Sequence, residues 1–260
     1  MNDMLINTLG DELYAAAKEC RVVEPLTSRY EDITIVDAYR IQQRVNACRI
    51  ESGERIIGKK IGVTSQVVMD LLGVDQPDFG MLTDAMHYVE GVEIPVSSLI
   101  QPKAEGEIAF LLKQDLKGPG VTAADVLAAT QGVVACFEIV DSRIRDWKIR
   151  IEDTVADNAS SGAFVLGDCI VDPKRIDLIN CAMKLEKNGE VVTTGTGGAA
   201  LGNPLEAVAW LANTLGELGE SLKAGEWVLS GSLGGMVPVA AGDVINVQID
   251  GLGRCFVRFV

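Results

Sequence analysis

Three glutamates are the residues of this sequence whose type and spacing could do chemistry. Glu105 and Glu107 lie two positions apart in the apolar segment 104–112, and Glu138 interrupts a second apolar segment, 133–140. Because strand side chains alternate between faces, we expect Glu105 and Glu107 on the same face. Buried carboxylates without partners are costly, and carboxylate oxygens are ligands that Mg²⁺ and Mn²⁺ prefer. The pattern predicts a divalent metal site, although any one of these glutamates could instead face water or pair with an arginine.

Lys60 is the second candidate, because glycines flank it on its own face. Strand alternation in segment 56–63 places Lys60 with Gly58 and Gly62, and Lys59 on the opposite face. Glycines leave an open notch in which backbone or a ligand can approach closely. Burial near a metal would lower the pKa of this lysine and suit it to acid–base catalysis. The alternative is a surface lysine on an edge strand.

Asp78 and the single histidine complete the set of possible acid–base groups. The segment 76–80, Gln-Pro-Asp-Phe-Gly, has the composition of a turn, so Asp78 is either a second acid–base group or a turn former. His87 lies between predicted elements and outside the candidate site. The sequence has no G-x-S-x-G nucleophile motif, and we do not expect a Ser-His-Asp triad.

Two polar loops are candidates for substrate binding. The loop 156–162 contains Ser160, and its hydroxyls and amides could hold a carboxylate. The loop 230–235 contains Ser232, and its backbone N–H groups could form an anion-binding nest. Both loops could equally be connections without function.

Composition restricts the class of protein. The chain has 260 residues, 48% of them hydrophobic, which is enough for one large core with a small appended subdomain. No apolar run is long enough for a membrane helix, and the six scattered cysteines are typical of reduced thiols in a cytoplasmic protein. A formal net charge of −14 argues against nucleic acid and anionic membranes as partners.

The order of predicted elements indicates an α+β fold. Helices are expected over 2–20 and from Thr34 to Gly53, and later over 122–130 and from Asn203 to Gly219. The predicted strands span residues 56–63, 105–112, 133–140, 163–170, 181–187, 226–230, 244–249 and 254–259. Because strands do not alternate regularly with helices, we expect a mostly antiparallel or mixed sheet system. The first helices would form an N-terminal cap over residues 1–55.

Five motifs occur in an order that resembles a known enzyme family. They are the segments 58–65, 76–80, 104–109, 138–143 and 155–160. Together they are similar to the 2-hydroxypenta-2,4-dienoate hydratases of aromatic meta-cleavage pathways, within the hydratase/decarboxylase family of the fumarylacetoacetate hydrolase superfamily. The similarity runs nearly end to end.

The resemblance implies a mixed β-roll over residues 56–260, a divalent metal and lyase chemistry. It assigns the metal to Glu105, Glu107 and Glu138, and acid–base catalysis to Lys60. The implied reaction is hydration of 2-hydroxypenta-2,4-dienoate to 4-hydroxy-2-oxopentanoate. A homo-oligomer is expected, as is a complex with the decarboxylase of the same pathway.

The resemblance leaves alternatives. Sister decarboxylases that act on 2-oxo-3-hexenedioate share most of these motifs, although they tend to have an apolar residue where this chain has Lys59. The chain could also serve as a stabilising partner subunit. The carbon–carbon hydrolases of the superfamily use a histidine–glutamate pair, and no histidine lies in a matching motif here.

Overall fold

Helices dominate the first 55 residues of the chain and strands dominate the rest. The computed structural model describes all 260 residues. The α-helices are α1 (Asp3–Lys18), α2 (Leu26–Arg29), α3 (Ile35–Glu51), α4 (Gln66–Leu72), α5 (Ala123–Ala129), α6 (Ile151–Ala156) and α7 (Pro204–Glu217). The strands are β1 (Ile56–Gly62), β2 (Asp78–Thr83), β3 (His87–Val89), β4 (Glu93–Ile94), β5 (Pro102–Leu112), β6 (Thr130–Asp141), β7 (Ser161–Leu166), β8 (Ala182–Lys187), β9 (Glu190–Thr196), β10 (Trp227–Leu229), β11 (Val237–Pro238), β12 (Val244–Ile249) and β13 (Gly253–Phe259).

The strands form two mixed sheets. The larger has the order β2-β1-β10-β5-β6-β7-β3, with β11 also paired to β5. Most of its neighbours are antiparallel, but β1 pairs with β10, and β3 with β7, in parallel. The smaller sheet has the order β4-β13-β12-β8-β9. The predicted α+β class with mixed sheets is confirmed.

The two sheets and two helices enclose the main core. Its buried side chains come from β5 and β6 of the larger sheet, from β8, β12 and β13 of the smaller one, and from α5 and α7. Helix α7 begins as the sequence predicts, because the Asn203 side chain caps it and Pro204 occupies its first position. A smaller apolar cluster covers the opposite face of the larger sheet, next to the candidate site.

The N-terminal helices have a core of their own. Buried residues of α1 and α3 pack together, and Ile144 and Val155 from the later part of the chain join them. A capping box at Thr34 and Asp37 starts α3 where the sequence predicts it. Because Ile144 and Val155 share this core, the N-terminal helices pack against the later part of the chain. The boundary at residue 55 stays a prediction.

The turn predicted over 76–80 is wrong. Only Gln76 and Pro77 precede the strand, and Asp78 is the first residue of β2, which pairs antiparallel with β1. Proline and glycine beside it weaken the strand signal, but Pro77 is tolerated because it lies before the first paired residue. The outer edge of β2 is covered by side chains, since Asn158 bonds both the N–H and the C=O of Met81. Strand β9 was also missed.

None of the helices combines the length and the apolar character that crossing a membrane requires.

Candidate metal centre and active site

The curl of the larger sheet creates the site. Lys60 Nζ on β1 lies 2.8 Å from Glu138 Oε1 on β6. Strands β10 and β5 lie between β1 and β6, so the Cα atoms of the two residues would be at least roughly 14 Å apart across a flat sheet. The direct contact therefore requires the sheet to curl, and the charged side chains point into its concave face.

The structure brings the three candidate glutamates together. Glu105 lies directly opposite Glu138 in the pairing of β5 with β6, and Glu107 follows on the same face. One carboxylate oxygen from each residue lies within 4.8 Å of the others. Glu107 and Glu138 are buried and Glu105 is half-buried. Three oxygen donors thus converge on one point from two neighbouring strands.

The hydrogen bonding of these carboxylates fits a cation. Glu107 Oε2 accepts from the Gly231 N–H at 2.9 Å, whereas Glu107 Oε1 and Glu138 Oε2 are buried without a hydrogen-bond partner. Unpaired buried oxygens are costly, and an all-oxygen donor set suits a hard divalent ion such as Mg²⁺ or Mn²⁺. The residues present therefore fit the metal that the sequence predicts.

The crowding of negative charge is visible in the pKa values. Burial and the neighbouring Glu138 raise the pKa of Glu105 to about 7. Burial, followed by Glu138 and Glu105, raises the pKa of Glu107 well above its usual value. Burial also raises the pKa of Glu138, against the opposing effect of Lys60. Lys60 alone does not balance the negative charge of the three glutamates. A bound divalent ion would supply the missing positive charge.

Asp78 fills the space beside Lys60 that the sequence predicted to be an open notch. Asp78 lies opposite Gly62 in the pairing of β2 with β1. A Cβ added to Gly62 would lie 2.2 Å from Asp78 Oδ1 and 3.5 Å from Lys60 Nζ. The glycine therefore admits the carboxylate of Asp78 next to the lysine. Burial raises the pKa of Asp78 to about 6, although Lys60 opposes this shift.

The structure excludes one interpretation of Lys60 and adds neighbouring charges to the other. The residue is buried on an interior strand and is not a surface lysine on an edge. Burial alone would lower its pKa, as predicted, but Glu138 and Asp78 outweigh that effect and raise the pKa. Without metal, the carboxylates around Lys60 thus favour its charged form, and a divalent ion bound by the glutamates would oppose that effect.

Lys59 points away from the site and has its own partner. Its Nζ lies 2.8 Å from Oε1 and 2.7 Å from Oε2 of Glu226. Sequence reasoning placed Lys59 on the opposite face from Lys60 but missed this buried pair. Glu226 ends the turn of residues 223–226 (Lys-Ala-Gly-Glu) before β10, where it also accepts from the Lys223 N–H.

A cavity of about 410 Å³ opens in front of these residues. Lys60, Asp78 and Glu105 line it, together with both serines proposed from the loops, Ser160 and Ser232. The buried Ser160 hydroxyl lies 3.1 Å from the Thr154 hydroxyl, which also lines the cavity. The Ser232 hydroxyl donates to the Gly234 carbonyl at 2.7 Å. All the predicted site residues except Glu107 and Glu138 thus border the same space, and the carboxylates of those two lie close to that of Glu105.

The loop 230–235 is not the anion nest that the sequence suggested. Five of its six N–H groups donate within the protein, among them Gly231 to Glu107 Oε2, Leu233 to the Gly106 carbonyl and Gly235 to the Thr193 hydroxyl. The loop therefore orients a metal-ligand candidate and stabilises β5.

Sequence reasoning missed the residues that hold the other loop. Asn158, Ala159 and Ser160 all have positive φ, between 50° and 55°, which is uncommon for three successive residues other than glycine. Buried Arg143 fixes this turn, with Nε 2.5 Å from Asp157 Oδ1 and Nη1 bonded to the Ser161 carbonyl. The available signal was that Arg143 and Asp157 lie in two of the ordered motifs, 138–143 and 155–160. His87 is exposed on β3, stacks on Phe164 and lies outside the cavity.

Residues 62–260 match the family model described as fumarylacetoacetate (FAA) hydrolase C-terminal. The chain belongs to the fumarylacetoacetate hydrolase family. The family predicted from the ordered motifs is thereby confirmed, and so is its type of fold.

Two relatives within this family are especially similar. A 2-hydroxyhexa-2,4-dienoate hydratase from Comamonas testosteroni is 56% identical over 98% of this chain and 97% of its own length. A 2-hydroxypent-2,4-dienoate hydratase from Pseudomonas putida is 63% identical over 84% of this chain and 99% of its own.

A solved family member has nearly the same structure. The 4-oxalocrotonate decarboxylase from Pseudomonas putida G7, complexed with magnesium and adipate, superposes with a TM-score of 0.98. It is 37% identical, and the match covers 100% of this chain and 99% of that one. A fumarylpyruvate hydrolase from Pseudomonas aeruginosa, at 18% identity and a TM-score of 0.63, shares the fold alone.

Proposed function

We propose that this chain is a metal-dependent hydratase that converts 2-hydroxypenta-2,4-dienoate and water into 4-hydroxy-2-oxopentanoate, in the meta-cleavage degradation of aromatic compounds. The observation that carries the proposal is the three-glutamate cluster, with its unpaired oxygens beside a cavity that Lys60 and Asp78 line. The identity of 56% and 63% to two hydratases supports this choice of reaction.

Glu105, Glu107 and Glu138 would hold Mg²⁺ or Mn²⁺. Such an ion, when bound, supplies Lewis acidity and orients a 2-oxo acid. The Gly231 N–H fixes the Glu107 carboxylate from behind, and Lys60 balances part of the negative charge on Glu138. These contacts hold the donor oxygens in place before the substrate arrives.

The reaction needs protons moved at two carbons, C5 and C3, and at two oxygens, the 2-hydroxyl and the attacking water. The dienol loses its hydroxyl proton and gains a proton at C5, which gives an α,β-unsaturated 2-oxo acid. Water then adds at C4 and gives up one proton, while C3 takes up one. The sum is the addition of one water molecule, and every proton is accounted for.

We assign the proton transfers to Lys60 and Asp78. Both line the cavity, and they meet beside Gly62, where no side chain separates them. A positioned acid–base group contributes about 10²–10⁴ in rate. We assign Lys60 Nζ as the principal shuttle and Asp78 as the second acid–base group. Ser160 and Ser232 are assigned to substrate binding, because their hydroxyl-bearing side chains border the same cavity.

Decarboxylation of 2-oxo-3-hexenedioate is the second candidate, because the structure superposes on a decarboxylase with a TM-score of 0.98. Enolised 2-oxo acids occur in both reactions, so the same metal site would serve either. The lower sequence identity, 37% against 56% and 63%, favours hydration.

We also infer a cytoplasmic homo-oligomer that can associate with the decarboxylase of its pathway. Val191 and Val192 are exposed on β9, the edge strand of the smaller sheet, and an exposed apolar edge favours association. A chain that only stabilised a partner would be inactive by itself, so the activity of the isolated protein separates these roles.

An ultraviolet assay of the purified chain tests the proposed function. Chelated protein is expected to lose activity on the dienoate and to regain it when Mg²⁺ or Mn²⁺ is added back. Release of CO₂ from 2-oxo-3-hexenedioate, with no hydration of the dienoate, would establish the decarboxylase instead. Full activity after chelation would show that the reaction does not need a metal.

A further inference from the structure

The cavity contains only one cationic side chain. Of the 21 residues that line it, Lys60 alone is positively charged, and it already contacts Glu138 at the metal end. The two acidic lining residues, Asp78 and Glu105, also lie at that end. A second cation, Lys103, lies over the ring of Trp147, 4.1 Å from its centroid, and does not line the cavity.

The remaining walls are largely apolar, and α4 supplies much of them. Val68 and Leu72 stand one turn apart on the same face of this helix, and both line the cavity. Val140, Trp147 and Met236 contribute from other parts of the chain. Leu71, the neighbour of Leu72, is 82% exposed and lies outside the cavity. The helix therefore presents two different surfaces one residue apart.

We propose that Val68 and Leu72 on α4 determine substrate specificity, by forming an apolar wall that accepts an uncharged distal end of the carbon chain and rejects a second carboxylate. The inference rests on the proposed function, because it assumes that the 2-oxo acid end of the substrate occupies the glutamate cluster. With that end at the metal site, the distal carbons extend toward walls that have no free cation. A carboxylate placed there loses water without gaining a counter-charge, which is unfavourable.

The solved decarboxylase sharpens this reasoning. That protein was complexed with adipate, a six-carbon dicarboxylate, and its backbone matches this chain with a TM-score of 0.98. The same fold can thus accept two carboxylates. The difference in this chain must come from side chains, and the apolar face of α4 is where the cavity lacks a counter-charge.

Binding of two matched probes tests the proposal. 2-Oxohexanoate and 2-oxohexanedioate have the same length and differ only in a distal methyl or carboxylate group. Calorimetry with Mg²⁺-loaded wild-type protein is expected to show at least about tenfold tighter binding of 2-oxohexanoate. Leu72→Arg adds a cation to the wall and should tighten binding of the dicarboxylate about tenfold. Leu71→Arg adds the same charge to the same helix outside the cavity, and should change it by no more than about twofold.

Three results would overturn the proposal. They are equal affinity of the wild-type protein for the two probes, equal effects of Leu71→Arg and Leu72→Arg, or no effect of either variant. If Leu72→Arg fails to fold by circular dichroism, Val68→Arg on the same face replaces it. Because the test measures binding, its outcome is separate from hydration activity. Wild-type protein that prefers 2-oxohexanoate but does not hydrate the dienoate would refute the proposed function. It would still support the role of Val68 and Leu72 in specificity.

Discussion

Two adjacent lysines on β1 each pair with a glutamate, but only the pair formed by Lys60 belongs to the candidate site. Lys59 and Lys60 are both buried, and each contacts a glutamate from a distant part of the chain, Glu226 and Glu138 respectively. Strand alternation sends them to opposite faces of the sheet. A buried lysine paired with a glutamate therefore occurs on both faces and does not identify the site.

The two pairs differ in their balance of charge. Both oxygens of Glu226 accept from Lys59, and one also accepts from the Lys223 N–H, so one cation meets one satisfied anion. Lys60 instead faces the carboxylates of Asp78, Glu105, Glu107 and Glu138, and buried oxygens are left without partners. An unbalanced buried cluster beside a cavity indicates function, whereas a balanced pair indicates structure.

Replacing a glutamate on each side should give the largest difference. Glu107→Gln removes a charged donor oxygen from the cluster, and turnover of the dienoate should fall at least about 10³-fold, since a catalytic metal is worth several kcal/mol. Glu226→Gln removes the same charge from the pair on the other face, and turnover should stay within about threefold. Steady-state rates at saturating Mg²⁺ measure both. Similar losses of turnover in the two variants would show that Glu107 and Glu226 do not differ in function.

Replacing the lysines should separate activity from stability. Lys60→Met is expected to lower turnover by about 10²–10⁴ while the protein still binds Mg²⁺. Lys59→Met leaves Glu226 without its main partner, and the free energy of unfolding should fall by about 2 kcal/mol with turnover nearly unchanged. Rates and urea denaturation are measured for each variant. An unchanged rate in Lys60→Met would exclude it from proton transfer.

The pH dependence of stability should reveal the excess negative charge. The folded-state pKa of Glu105 is about 7 and that of Asp78 about 6, both above the ordinary values of unfolded carboxyls. A carboxyl with a raised folded-state pKa contributes stability at low pH that is lost as the pH rises through that pKa. Metal-free protein should therefore become less stable between about pH 4.5 and pH 7.

Mg²⁺ should reverse that loss. At one hundred times its dissociation constant, a ligand stabilises the folded state by about 2.7 kcal/mol. Because protons compete for the same carboxylates at low pH, the rise in melting temperature on adding Mg²⁺ should be larger at pH 7.5 than at pH 5.5. Glu226→Gln should keep this behaviour and Glu107→Gln should lose it. Calorimetry that shows the same rise at both pH values in wild-type protein would contradict the charge imbalance.

Alanine substitutions at the two glycines beside Lys60 should give the smallest difference between paired variants. A Cβ at Gly62 would meet the side chain of Asp78, whereas a Cβ at Gly58 would lie 2.4 Å from the Trp227 backbone carbonyl. Gly62→Ala is expected to displace Asp78 and lower turnover about tenfold, with little change in stability. Gly58→Ala should mainly destabilise the pairing of β1 with β10. Rates and melting temperatures of the two variants test this, and the reverse pattern would disprove the role given to Gly62.

Much of the fold was accessible from the sequence because its signals are local. The caps at Thr34 and Asn203 and the alternation in β5 act over a few residues, and they predicted those elements well. Strand β2 was missed because its stability comes from elsewhere. Its partner β1 and the distant Asn158 satisfy its backbone, and neither contact leaves a trace in the local sequence of residues 76–80.

Some features of the site also follow from the local sequence, whereas others depend on distant contacts. That Glu105 and Glu107 share a face follows from alternation alone, and so does the separation of Lys59 from Lys60. The contact between Lys60 and Glu138 depends on the curl of the sheet, which no local pattern contains. In the protein without metal, the raised pKa of Lys60 follows from that contact, and local sequence does not contain it.

A titration of Mn²⁺ into metal-depleted protein, followed by electron paramagnetic resonance, tests the central claim most directly. We expect one site per chain in the wild-type protein and in Glu226→Gln, and at least about a hundredfold weaker binding in Glu107→Gln. Mn²⁺ bound with the same affinity by Glu107→Gln and the wild-type protein would show that the three glutamates do not form the metal site.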